Sequence, residues 1–440
     1  MNRITKPDFF PKTNILNLSN PGIGKNLPKM EPMSGDLMEE MAKKAKEQSE
    51  KMQKQIMEYY KQITGNNRTL LRFILIVAVI ITILVIVFYI SNRLKRNSNN
   101  IDRLKDNSKK FLTFKENNGL NSIINFSYED SYDKVHKRPS TLKDYYILGS
   151  YNSCCGGEVF NNWVDLGILE NTIKMGPRVL DFEVFSQYGK PIVAASLKNA
   201  TKQQDTSYSK DTLNHLEIPE VLATCKKAFQ GIITQNYDDL LILNFRIKTM
   251  NGSALDTLAK NIRDAFKSQL LESSTYGFGG RNKNVVNEDI KKLRRKVIVS
   301  IYDTTNTFKD SELYSITNIC NNMEITGMGG VEYLKNYDIQ YGTDKEDMLS
   351  KNKLSLKIVL PDETNEKDNP PSQLHRDVGC QISLMRFTLY DSNLKETLAY
   401  YSKNDSAFVL KPDEQRYKPI VLAKPKPMDP RVQKVLLENS

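Results

Sequence analysis

Histidine is almost missing from this chain. Its three copies in 440 residues, His136, His215 and His375, lie far apart and lack the spacing that would bring two of them onto one metal ion. Multi-histidine metal chemistry is therefore excluded, and each histidine is expected to be a surface or ordinary core residue. Cysteine is scarce as well. Five cysteines, with Cys154 and Cys155 adjacent and no paired spacing, exclude a disulfide framework of the kind that holds small secreted domains together.

One feature present in strength is apolar. Phe73 to Ile90, FILIVAVIITILVIVFYI, is an unbroken run long enough to cross a bilayer core of ~30 Å as a helix rising ~1.5 Å per residue. It stands too far into the chain, behind a charged polar region, for a cleaved signal peptide. A transmembrane helix over 71–91 and a single-pass membrane protein are expected. Basic residues flank both ends, with Arg93, Lys95, Arg96, Arg103 and Lys105 tipping the balance to the C-terminal side, so the larger C-terminal region is expected on the cytosolic side. The basic stretch 92–111 reads as a juxtamembrane linker that an anionic leaflet would attract, or as a solvated stop-transfer flank.

The net charge of +11 favours acidic partners, and beside a membrane span those are lipid head groups; no nucleic acid is expected. Residues 1–35 lack hydrophobic periodicity and read as disordered. Within 36–66, Met38, Met41, Ala45, Met52, Ile56, Tyr59 and Ile63 recur at helical spacing, which fits an amphipathic helix, with self-association through 36–64 as a short coiled coil the sharper reading. Residues 421–440 read as an extended tail. The Asn- and Lys-rich composition and lone anchor are compatible with a viral envelope or internal membrane protein.

From 112 to 420 strand-like and helical stretches alternate. Val179–Phe185, Leu240–Ile247, Val297–Tyr302, Leu354–Leu360 and Cys380–Tyr390 read as strands, Glu217–Gln230 and Leu255–Leu271 as helices, and Asn282–Glu288 and Asp362–Pro371 as loops. This pattern implies β/α units around a mostly parallel sheet.

Three segments in register sharpen that expectation. Residues 148–197 carry LGSYNS, GPRVLDFEVF and GKPIVAAS; Leu293–Val299 form a basic turn before a strand; and Gly379–Cys380–Gln381–Ile382 is followed by Phe408–Val409–Leu410–Lys411–Pro412. In order and spacing these resemble the X and Y halves of eukaryotic phosphoinositide-specific phospholipase C. The resemblance implies an α/β phospholipase-C-like (β/α)8 TIM-type barrel over 112–420. No EF-hand is recognised before it and no C2 sandwich after it.

In the family two histidines handle protons, and calcium is held by an asparagine, a strand Glu and Asp, and a later strand-end Glu. Carried over, the two histidine positions are Tyr151 and Ala195, both lost. The calcium positions are Asn152, Asp181 and Glu183, with Arg246 in place of the fourth ligand. A phenol titrating near ~10 is a poor general base and alanine is none. Asp181 and Glu183 are two apart on a strand and so share a face, where they could hold a cation or pair with Arg178 or Arg246. The family's phosphate-binding lysines fall at Ser300 and Tyr302, and the expected head-group arginine meets the acidic Pro361–Thr364. The resemblance thus implies a degenerate site, with calcium as the ion it would take and no cofactor as the expectation. A catalytically inactive barrel that binds a phosphoinositide head group or a protein is expected. The alternative is an active phosphoric diester hydrolase using Asp181 and Glu183 with Tyr151 or His375, since His375 stands just before Gly379.

Overall fold

The structure is a computed structural model and describes residues 35–64, 68–117, 122–157, 159, 162–196, 209–278, 283–321, 331–362 and 368–419. Of the segment 1–35 expected to be disordered, residues 1–34 lie outside those described, as does the tail over 421–440, and Gly35 begins helix α1. The chain divides into two compact units, Met1–Val87 and Phe88–Ser440.

The first unit holds helix α1, Gly35–Thr64, and the start of helix α2, Arg68–Asn117. Met52 and Ile56 are exposed on α1. Helix α2 contains the apolar run, whose side chains from Phe73 to Ile90 are exposed, and it is long and apolar enough to cross a membrane. Helix α2 continues through the basic stretch 92–111.

The second unit is a barrel. Among the described residues its eight parallel strands are β1 Tyr145–Ser150, β2 Val179–Gln187, β3 Leu241–Ile247, β4 Val297–Tyr302, β5 Ile319–Cys320, β6 Val331–Lys335, β7 Leu356–Leu360 and β8 Ile382–Met385. They pair in the order β6-β7-β8-β1-β2-β3-β4-β5, nearly closing a TIM-type ring in which neighbours in space are neighbours in sequence. Strand Phe408–Leu410 adds antiparallel to β1, and Lys190–Ala194 adds antiparallel to β2.

Alternation along the strands builds the interior in layers. On β2 the apolar Leu180, Phe182 and Val184 face one way and Asp181 and Glu183 the other. The parallel register aligns Val179, Ile242 and Ile298 in one layer, Asp181, Asn244 and Ser300 in the next, and Glu183, Arg246 and Tyr302 above them. Tyr333 on β6 bonds Asn244 on β3 and Ser300 on β4, strands that are not its neighbours, so these positions point into the barrel. The interior is therefore apolar at the strands' N-terminal ends and polar toward the C-terminal mouth.

Gly149 on β1 faces the apolar layer, where a Cβ would lie 2.7 Å from Leu384 Cδ2 and 3.2 Å from Val179 Cβ, so a side chain there would make Leu384 shift. Outside, helices bury apolar stripes on the sheet. In Gly252–Phe266, capped by the Asn251 side chain on the Ala254 N–H, these are Leu255, Leu258, Ala259, Ile262 and Phe266. The segment expected as a loop over 282–288 is more ordered than that. From 283 onward it includes the turn Val285–Asn287, with Val285 and Val286 fully buried.

Candidate functional site

Arg246 is the centre of the mouth. It lies directly across from Glu183 in the β2–β3 register, two residues on from Asn244, which lies across from Asp181. Its Nε donates to Asp181 Oδ1 and Oδ2 at 3.0 and 3.1 Å, and its Nη2 donates to Asp181 Oδ2 at 2.9 Å. Its Nη1 donates to Glu183 Oε1 at 2.6 Å and to the Tyr151 hydroxyl at 3.2 Å, and its Nη2 reaches Asn152 Oδ1 at 2.5 Å. The guanidinium also lies 4.4 Å from the Tyr151 ring centroid.

All five side chains are buried, with Asp181 at 0% and Arg246 at 2% exposure. Burial alone would lower the Arg246 pKa, but attraction from Asp181, with Tyr151 and Glu183, holds it well above the ordinary arginine value. For Tyr151 burial dominates and pushes the phenol well above its usual range, against the pull of Arg246.

The carboxylates carry further bonds. Asp181 accepts from the Asn152 N–H at 3.0 Å and from Asn244 Nδ2 at 2.7 Å. Glu183 Oε2 accepts from the Ser196 N–H at 2.5 Å and from its hydroxyl at 3.1 Å. Ala195 thus stands beside the cluster, fully buried, with its N–H on Thr212 Oγ1 at 3.3 Å. Asn152, just after β1, has φ of 43° and keeps a buried Nδ2 with no partner, in a closely packed spot that Cys154, Cys155 and Val164 help to line. Among the described residues there is no cluster of three or more His, Cys, Asp or Glu side chains able to hold a metal ion.

The structure brings together Tyr151, Asn152, Asp181, Glu183, Ala195 and Arg246, which the sequence spreads over almost a hundred positions. Of the two arginines offered as partners to the carboxylates, Arg178 is not used. It is buried at the start of β2 and donates twice to the Ala228 carbonyl. His375 is not in the cluster either. It is fully buried, with Nδ1 on Ser383 Oγ at 2.9 Å and Nε2 on Asn336 Oδ1 at 3.0 Å. His136 is held by Asp133 at 2.8 Å and His215 lies 3.8 Å from Glu217, both away from the cluster. Ser300 bonds the Tyr333 hydroxyl at 2.6 Å, and the Tyr302 ring lies 4.7 Å from that of Tyr333, so aromatic contacts fill the two family lysine positions. Asp362 is tied to Asn336 and to the Tyr337 N–H; Glu363 and Thr364 lie outside the described residues.

Sequence reasoning missed Arg386, which follows β8. Its guanidinium lies 5.7 Å from the Tyr151 ring and donates to the carbonyls of Asp362 and Asp368 at 3.3 Å. It was hidden inside a longer expected strand, Cys380–Tyr390, that in fact ends at Met385.

Among solved structures the chain is similar to PLC21 of L. pealei, with a TM-score of 0.50 and 17% identity over 63% of this chain and 38% of that one. The barrel has the phospholipase C fold. PLC21 of S. officinalis gives 0.49 and 16% over 64% of this chain and 38% of that one. A Ca2+-dependent phosphatidylinositol-specific phospholipase C from Streptomyces antibioticus gives 0.37 and 9%, over 62% of this chain and 99% of that one. The chain thus spans 38% of the length of the two PLC21 structures. No protein-family model matches the sequence, and no curated protein sequence matches it.

Proposed function

We propose that this chain is a single-pass membrane protein whose phospholipase-C-type barrel does not cleave phosphodiesters and serves as a binding or scaffold module at the membrane surface. The observation that carries this reading is Arg246, a buried internal cation that neutralises the acidic mouth from within. A phosphodiesterase of this type needs groups that accept and return a proton near neutral pH. At the two positions concerned stand a buried phenol and an alanine.

Calcium has no place in the reading. The oxygens that would ligate it, both of Asp181 with Glu183 Oε1 and Asn152 Oδ1, accept from one guanidinium, which an ion would have to displace. These residues do not fit the ion. The partners are the bilayer crossed by 73–90, an anionic phosphoinositide head group or a protein at the mouth near Arg386, and a second copy through 36–64. On this reading the barrel faces the cytosol, in a viral envelope or an internal membrane.

A second reading, a working phosphoric diester hydrolase, has in its favour Arg386 beside Tyr151, a cation a phosphate would seek. One assay separates the two. Full-length protein in nanodiscs is given phosphoinositide vesicles, and bound lipid and released inositol phosphate are both measured. The proposal expects binding without release; release abolished by Asp181→Ala would establish the hydrolase.

A further inference from the structure

From Phe88 onward helix α2 belongs to the same compact unit as the barrel. One face of it, Arg93, Asn97, Asn100 and Ile101, is buried or half-buried, while Leu94, Lys95, Arg96 and Arg103 are exposed. The steps of four and three residues are those of one helix face.

That face meets the connection between β1 and helix Leu166–Lys174. The connection leaves β1 at Tyr151 and Asn152, and therefore lies at the C-terminal mouth. Asn100 Nδ2 donates to Asn162 Oδ1 at 2.7 Å, with Asn100 and Asn162 at 7% and 3% exposure. Asn97 Nδ2 donates to Asp165 Oδ2 at 3.3 Å, and Trp163 Nε1 donates to the Arg93 carbonyl at 3.1 Å. Ile101 packs on the barrel's main core. Gly156 makes room for the helix, since a Cβ there would lie 2.8 Å from Asn100 Nδ2. A buried amide pair satisfied only in one alignment fixes register more than it adds stability.

We infer that residues 93–101 of α2 are a clamp that holds the barrel mouth against the bilayer surface, with Trp163 in the head-group layer. Arg93 is the third residue after Ile90, the last of the apolar run, so its carbonyl lies about 5 Å along the helix axis from the end of that run. The interfacial layer on each side of the hydrocarbon is roughly 5–8 Å deep. A group bonded to that carbonyl therefore lies within the layer. Tryptophan, with its apolar body and one N–H, favours that depth. The exposed Lys95 and Arg96 are set to meet anionic head groups there. The occupant of this surface is the membrane that the chain itself crosses.

The inference rests on reading 73–90 as a membrane span, and the test keeps the two apart. Trp163 is the only tryptophan in the chain and so reports on itself. Full-length protein is reconstituted into phosphatidylcholine vesicles containing some phosphatidylserine, and flotation shows whether it is membrane-bound. Tryptophan emission is then compared in vesicles brominated near the top of the acyl chain and in water containing iodide. The clamp predicts flotation, loss of emission to brominated lipid and little loss to iodide. In Asn100→Ala it predicts weaker lipid quenching and stronger iodide quenching. Flotation with Trp163 quenched by iodide and untouched by brominated lipid overturns the clamp while leaving the anchor standing; absence of flotation overturns both. Lipid quenching unchanged in a folded Asn100→Ala shows that the amide pair does not hold the mouth and overturns the clamp.

Discussion

Gln381 Nε2 and Lys411 Nζ donate to the same two backbone carbonyls, those of Lys143 and Asn352. Lys143 precedes β1, Asn352 precedes β7 and Gln381 precedes β8, so the two side chains lace together the N-terminal ends of these strands. Lys411 spends its third N–H on the Gly379 carbonyl at 2.9 Å, and the Gln381 carbonyl receives the Ile147 N–H at 2.8 Å. The Gly-Cys-Gln run and the Leu-Lys-Pro exit thus hold the barrel shut at the end away from the mouth.

Each shared carbonyl keeps one donor when the other is lost, but Gln381→Leu strips the Lys357 N–H of its acceptor and Lys411→Met strips the Gly379 carbonyl of its donor, so each should cost about 1–3 kcal/mol. The double variant orphans both carbonyls. It should cost more than the sum, by about 1 kcal/mol or more, in a double-mutant cycle read by urea denaturation. Simple additivity would show that the shared acceptors do not couple the two side chains.

Arg246→Met leaves Asp181 and Glu183 buried without their cation. A loss of about 3–5 kcal/mol is expected in denaturant melts. Arg246→Lys should recover only part of it, since an ammonium cannot reach Asp181, Glu183 and Asn152 from one planar fork.

Tyr151→Phe removes one long bond from Arg246, of 3.2 Å, and keeps the ring under the guanidinium. The change should cost about 1 kcal/mol or less in the same melts. Restoring imidazoles with Tyr151→His and Ala195→His should release no inositol phosphate, because Arg246 still occupies the carboxylates.

Burial lowers the His375 pKa to about 4, with Arg376 adding to the effect and Asp362 opposing it. The unfolded chain, with histidine near ~6.5, binds the extra proton first as pH falls. The contribution from neutral His375 is therefore complete above about pH 6.5 and is lost as pH drops toward 4, by an amount of the order of 3 kcal/mol. Asp239, pushed up to about 7 mainly by burial, has the opposite dependence over part of that range. The prediction is accordingly read as the difference between the parent and His375→Gln, measured by thermal melts from pH 7 to 4.

The fold was legible because its signals are local. Strands β2, β3 and β4 announce themselves by apolar runs with polar residues two apart, and the Gln381 and Lys411 motifs mark a joint that the barrel needs whatever its chemistry. Strand β5 is only Ile319–Cys320, too short to show a period, and β6, VEYLK, is too polar. The carboxylates and Arg246 could be placed on facing strands, but not the four-way grip of the guanidinium, which depends on a register that sequence does not print. Asn97 and Asn100 escaped notice because a helix face that docks through amides has no hydrophobic period. Trp163, the residue that ties the mouth to α2, sits in a loop with no motif around it.

The central claim is that Arg246 supplies the positive charge that Asp181 and Glu183 need. The most direct measurement is a calcium titration of the full-length protein in nanodiscs, followed by thermal unfolding, with inositol phosphate release measured on the same sample. An ion bound at a hundred times its dissociation constant would stabilise the fold by about 2.7 kcal/mol. The account predicts an unchanged melting temperature and no release. A saturable rise in melting temperature with calcium that is lost in Asp181→Asn, or calcium-dependent release, would contradict it.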